Sequence, residues 1–244
     1  MEWNILIYTL LGGLLPALLW LWFFLREDAL HPEPRKYIAF TFLLGILAIG
    51  ISLPLEYLTQ CGMHVPFAEI VHLTCVSSLG TPVFAWAFIE ESAKWLVVAV
   101  FILWRKDLVD EPIDAMVYLI TIALGFAAFE TALFIFEPLT RAAFLETVAL
   151  TNLRFIGASL VHTLASGIVG FCIALAFYRP LWVKSVALCT GLFFATLLHG
   201  IFNHHILKAG GNDATMVFFG VWVGVIVLFL LFERAKRINK YSRT

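Results

Sequence analysis

The chain has 244 residues, of which 61% are hydrophobic and 14% charged, with a mean hydropathy of +0.93. Soluble domains run about 45–50% apolar and about 25% charged, so an ordinary cytosolic globule is excluded, and disorder is excluded because it needs low hydrophobicity. A formal charge of −1 gives no basic footprint for nucleic acid, which is therefore not an expected partner.

Crossing the hydrocarbon core takes about 20 mostly apolar residues in a helix. Seven stretches meet that requirement, roughly 4–25, 37–58, 81–104, 114–136, 153–177, 184–206 and 214–232. The expected architecture is all-α: one membrane-embedded domain over residues 1–244, a polytopic bundle of about seven transmembrane helices. The first stretch is long for a signal peptide, lacks a basic lead, and is followed by Arg26, Glu27 and Asp28, so it reads as a retained span. A long loop over 59–80 then holds Cys61 and Cys75, which an oxidising outer compartment would allow to pair. Cys172 and Cys189 fall within spans and read as small apolar fillers. With the loop after the first span taken as cytoplasmic, inside segments carry twelve Lys and Arg and outside segments two, Arg141 and Lys208. That asymmetry places the N-terminus outside. The C-terminus, with its basic tail to Lys240 and Arg243, is then cytoplasmic.

A charge near the bilayer centre costs at least about 2.5–3.5 kcal/mol on insertion scales, so each needs a reason. The third span carries Glu90, Glu91 and Lys94. Lys94 stands one turn beyond both carboxylates and can pair with either. The other is then left without a partner in its own helix, as a general base requires, whereas a structural ion pair needs only one Glu. The fourth span carries Glu130, preceded by Gly125, Ala127 and Ala128, small residues that suit close helix approach. A lone Glu there could simply bond a neighbouring helix. The fifth carries His162, near Ser159 and Ser166; the sixth carries His199 and Asn203, one turn apart on one face. Such a pair can bind a metal or donate to an oxyanion. His204 and His205 lie near a helix end and His31, His64 and His72 in loops, where a wet environment accounts for them.

Depth separates a site from scatter. At about 1.5 Å per residue, Glu90, Glu91 and His162 lie about 14–15 Å below the outer surface. Glu130 and His199 lie about 6–8 Å below it in a core about 30 Å thick. Four helices thus bring polar groups to the outer half of the membrane, which gives one candidate site: Glu90, Glu91, Glu130, His162, His199 and Asn203, supported by Lys94. Glu130, His162 and His199 form a two-histidine, one-glutamate set like that of some catalytic zinc sites, with a nearby carboxylate as base. No contiguous His-Glu-x-x-His motif occurs, and the same residues also work without metal, a Glu activating water while His199 and Asn203 hold the oxyanion. Gly-x-Ser-x-Gly is absent too. Hydrolysis of a membrane-embedded substrate by an activated water is favoured. The alternative is a non-catalytic scaffold or an ion-coupled transporter using the same carboxylates, although a transporter would show internal repeats and broken helices near the midplane.

These residues resemble the PrsW-type intramembrane proteases, relatives of the CAAX-processing and bacteriocin-processing membrane proteases. The resemblance rests on Glu90-Glu91-Ser92-Ala93-Lys94, on Asp114 with Val117-Tyr118 leading to Gly125 and Glu130, on His162 through Gly167 and Gly170, and on His199 to Asn203. Pro32-Glu33-Pro34-Arg35 is similar to the family's first cytoplasmic loop. Ser92 stands where an aromatic is common and Thr131 where Asn is common. The resemblance implies proteolysis within or beside the membrane, with Glu90 or Glu91 as base and Glu130, His162 and His199 completing the core. The water would be activated by glutamate or by a metal, zinc being the expected ion. A multi-pass protein of the cell membrane and a membrane-anchored protein substrate are implied as well. The family's best-known substrate is an anti-sigma factor cut on the extracytoplasmic side.

Overall fold

A computed structural model describes residues 2–28, 32–61, 82–141, 144–208 and 214–238. Among these the chain is all-helical, with no strand. The helices are α1 (Glu2–Phe24), α2 (Arg35–Cys61), α3 (Val83–Val98), α4 (Asp114–Thr140), α5 (Phe144–Leu153), α6 (Ser159–Leu175), α7 (Leu181–Lys208) and α8 (Ala214–Lys236). Among the described residues, six stretches are long and apolar enough to cross a bilayer: α1, α2, α4, α6 with the turn before it, α7 and α8. The third predicted span departs from the rest. It is the 16-residue α3 continued by a π-helical turn over Ala99–Leu103, and three charges sit in its middle. The expected outer loop after the fourth span is also largely helical, because α4 runs on to Thr140 and α5 follows. A second π-helical turn, Arg154–Ala158, joins α5 to α6. Cys75, His31, His64, His72, Lys240 and Arg243 lie outside the described residues, so the Cys61–Cys75 pairing does too. Cys172 and Cys189 are free.

The centre is α4. From Asp114 to Ala128 every residue is buried, as expected of a helix apolar on all sides. It is surrounded by α1, α2 and α6; α3 lies against α2 and α7, and α8 against α6. Several crossings of α4 are set by glycine. A Cβ on Gly125 of α4 would overlap the Phe42 carbonyl of α2, and one on Gly170 of α6 would come within 2.7 Å of Met116 Cα on α4. Small residues permit such backbone contact, and membrane helices gain dispersion energy by it. The outward faces are apolar instead of polar: Leu15 is 60% exposed, Phe193 63%, Phe219 70% and Leu230 64%. A girdle of that kind requires hydrocarbon around it.

At the end of the bundle where α1 and α8 finish, polar contacts tie the loops down. Lys236 pairs with Glu27 at 2.9 Å. Tyr118 Oη donates to Glu33 at 2.5 Å, and Asp114 accepts from the amides of Asp110 and Glu111 at 2.9 and 2.7 Å. The polar side chains of the candidate site lie toward the opposite end.

Candidate active site

Helix α3 delivers Glu90, Glu91 and Lys94 on consecutive turns of its inner face, all buried. Opposite them α6 presents His162 and Ser166, α7 presents His199, and α4 presents Glu130. Of the residues predicted from separate spans, Glu90, Glu91, Lys94, Glu130, His162 and His199 meet in one cluster. Glu91 is its best-satisfied member: Oε1 accepts from Lys94 Nζ at 2.6 Å and faces His199 Nδ1 at 3.1 Å, while Oε2 accepts from Ser166 Oγ at 2.8 Å. Lys94 Nζ also meets His162 Nδ1 at 2.7 Å and stands 4.3 Å over the Phe126 ring. His162 Nε2 faces Glu130 Oε2 at 2.9 Å. The two imidazoles stack edge to face with centroids 4.6 Å apart.

These partners dictate the tautomers. A carboxylate only accepts, so His199 donates from Nδ1 to Glu91 and His162 donates from Nε2 to Glu130. The lone pairs left over are His199 Nε2 and His162 Nδ1. Both point toward Glu90 Oε2, at 3.8 and 3.7 Å, and that oxygen is buried without a hydrogen bond among the described residues. Zinc bonds of about 2.0–2.2 Å to nitrogen and oxygen put tetrahedral ligand atoms roughly 3.3–3.6 Å apart. The ligand atoms of Glu90, His162 and His199 lie within 4.8 Å of one another, so the group could hold a divalent ion once they draw together. Each histidine would have its second nitrogen held by a carboxylate, the usual arrangement around ligating imidazoles.

The oxygen donor in this group is Glu90. Glu130, expected beside the two histidines as a ligand, lies on the far side of the His162 ring and is paired with Arg154 at 2.5 Å. Its position four residues beyond Phe126 on α4 puts it behind His162, because the Phe126 ring occupies the near side. Asn203 stands one turn beyond His199 on α7, half-buried and outside the hydrogen-bonded cluster among the described residues.

Sequence reasoning passes over two residues of the cluster. Arg154, at the edge of a predicted span, also donates to Thr131 Oγ1 at 3.2 Å and lies 4.1 Å over Phe134; the π-helical turn aims it inward. Glu56 on α2 is hydrogen-bonded to Ser52 and within electrostatic reach of Glu90, Glu130 and Lys94. A carboxylate inside the predicted span 37–58 was its only signal, weakened by lying at the interfacial end. Four carboxylates thus face two cations, a formal excess of negative charge that a divalent ion would balance.

Residues 33–232 match the sequence profile of the PrsW family intramembrane metalloproteases. Among similar proteins, Protease PrsW of Geobacillus kaustophilus is 26% identical over 230 residues, 94% of this chain and 90% of the relative. Protease PrsW of Oceanobacillus iheyensis is 29% identical over 231 residues, 94% and 95% of the two chains. Protease PrsW of Bacillus subtilis is 24% identical over 221 residues, 91% and 88%. No solved structure matches the chain. The match takes in every helix that contributes to the cluster, and the chain belongs to the PrsW family of intramembrane proteases.

Proposed function

We propose that the chain is an intramembrane endopeptidase of the cell membrane, hydrolysing a peptide bond of a membrane-anchored protein with a water activated at the Glu90–His162–His199 group. The observation that carries this reading is the buried, unbonded Glu90 Oε2 facing two imidazole lone pairs. Glu90, His162 and His199 would hold a divalent ion, zinc by their nitrogen and oxygen donors, which supplies the Lewis acidity that amide hydrolysis needs near neutral pH. Glu91 and Glu130 keep His199 and His162 in the required tautomers. Without an ion in place, Glu90 is the carboxylate with an oxygen free to take a proton from water, since both Glu91 oxygens are engaged. Arg154, partly exposed at the margin of the cluster, offers fixed positive charge for a developing oxyanion, and Asn203 offers a donor from the next turn of α7.

Counting α3 with its π-helical turn gives seven spans in a single domain, with the N-terminus outside and the C-terminus in the cytoplasm. Glu90 is seven residues into α3, and Glu130 and His199 are ten and nine residues from the ends of α4 and α7. The site then lies in the outer half of the membrane, at the level where a single-span substrate such as an anti-sigma factor would be cut on its extracytoplasmic side.

Cleavage of a single-span reporter in liposomes tests this. Glu90→Gln and His199→Ala should each lose at least about 100-fold in rate while remaining folded. Full activity in both would remove the catalytic reading and leave a scaffold. In the same preparations zinc should be present stoichiometrically, be absent from His162→Ala, and be required for activity after chelation. An active, zinc-free preparation would make Glu90 the direct activator of water.

A further inference from the structure

We propose that Lys94 is an internal cation of the site, seated on a nitrogen that a divalent ion needs and displaced when one binds, so that it sets how tightly the site holds metal. This rests on the metal reading above. Lys94 is fully buried, and its ammonium donates to His162 Nδ1 at 2.7 Å and to Glu91 Oε1 at 2.6 Å, with Glu90 Oε2 at 3.9 Å and the Phe126 ring beneath. Because Nε2 of His162 donates to Glu130, Nδ1 carries the ring's one available lone pair. That pair cannot serve an ammonium and a metal at once. Occupation by a divalent ion must break the Lys94–His162 hydrogen bond.

The geometry allows this displacement at limited cost. Glu91 lies one turn before Lys94 on the same helix, so the ammonium can keep its strongest partner while leaving the imidazole. Phe126 offers a ring face to a retreating cation. In the metal-free state the same ammonium offsets charge of the neighbouring carboxylates. A charge-assisted hydrogen bond given up on binding subtracts from metal affinity, and removing it should return about one order of magnitude.

The test is zinc affinity of the purified full chain in detergent, read by competition with a chromophoric chelator, for wild type, Lys94→Met, Glu90→Ala and His199→Ala. A displaced cation predicts that Lys94→Met binds zinc about tenfold more tightly than wild type, whereas Glu90→Ala and His199→Ala lose binding. A lysine that merely props up the ligands predicts the opposite sign. Equal or weaker zinc binding by Lys94→Met, with Glu90→Ala still impaired, overturns this inference and leaves the metal reading intact. Failure of wild type and every variant to bind zinc removes both. If Lys94→Met does not fold, the comparison is made between Glu91→Gln and Glu91→Gln/Lys94→Met, where the buried charge is balanced. The same tightening is expected there, and its absence overturns the inference.

Discussion

His162 shows how much of the site is held by single hydrogen bonds. Its two nitrogens face Glu130 and Lys94, and the ring is packed against Phe126, so its orientation is fixed from two helices, α3 and α4. On the proposed metal reading, Glu130 orients His162 by a hydrogen bond and is not itself a ligand. Glu130→Ala should therefore weaken zinc binding by about 10–100-fold, a graded loss, while Glu90→Ala abolishes it; equal effects in chelator competition would return Glu130 to the ligand set. Ser166 makes a narrower point. Its hydroxyl is the partner of Glu91 Oε2, and both groups are buried. Ser166→Ala strands that oxygen and should lower stability by about 1–3 kcal/mol, measured as reduced thermal stability in detergent. Glu90, Glu91, Glu130, His162 and His199 were legible in the sequence because an ionisable group within an apolar run stands out. Arg154 and Glu56 were not, because at the ends of such runs a charge is ordinary.

Among the elements, α4 decides whether the cluster can form. Its glycine crossing with α2 sets the distance between their backbones, and Glu130 projects from the turn that follows. Gly125→Ala would drive a methyl into the Phe42 carbonyl, a backbone atom that cannot swing aside, and should destabilise by about 1–3 kcal/mol or more. Gly50 on α2 has open space around its Cβ position, so Gly50→Ala should be neutral or stabilising by up to about 1 kcal/mol. Thermal unfolding of the two variants checks the contrast; similar behaviour would mean the close crossing is absent. The π-helical turn before α6 has a related role. Ser159 Oγ bonds the Arg154 carbonyl at 3.2 Å, and the wider turn lets Arg154 face Glu130 while His162 faces Lys94. Hydropathy located α6 but carries no mark of a π turn, which is one extra residue in a ladder otherwise read as continuous.

For the whole molecule, the exposed apolar girdle and the buried polar cluster invert the pattern of a soluble protein, and lipid is the solvent that permits it. Sidedness is testable. A tag at the N-terminus should be accessible to protease added to intact cells and one at the C-terminus should not, as the basic loops require; the reverse result would move the cut to the cytoplasmic side. What the sequence determined by itself was an all-helical chain of long apolar stretches, an expected sidedness, and the candidate acids and bases. Those follow from properties that add along a chain: hydropathy per residue, charge per loop, rise per turn. What only the tertiary structure decided was the pairing: Glu90 as the oxygen facing a nitrogen of each imidazole, Glu130 behind His162, and Lys94 on the nitrogen a metal would need. Such pairings depend on which helix faces which, and that is set by steric contacts between residues as far apart in sequence as Phe42 and Gly125, to which no local pattern is sensitive.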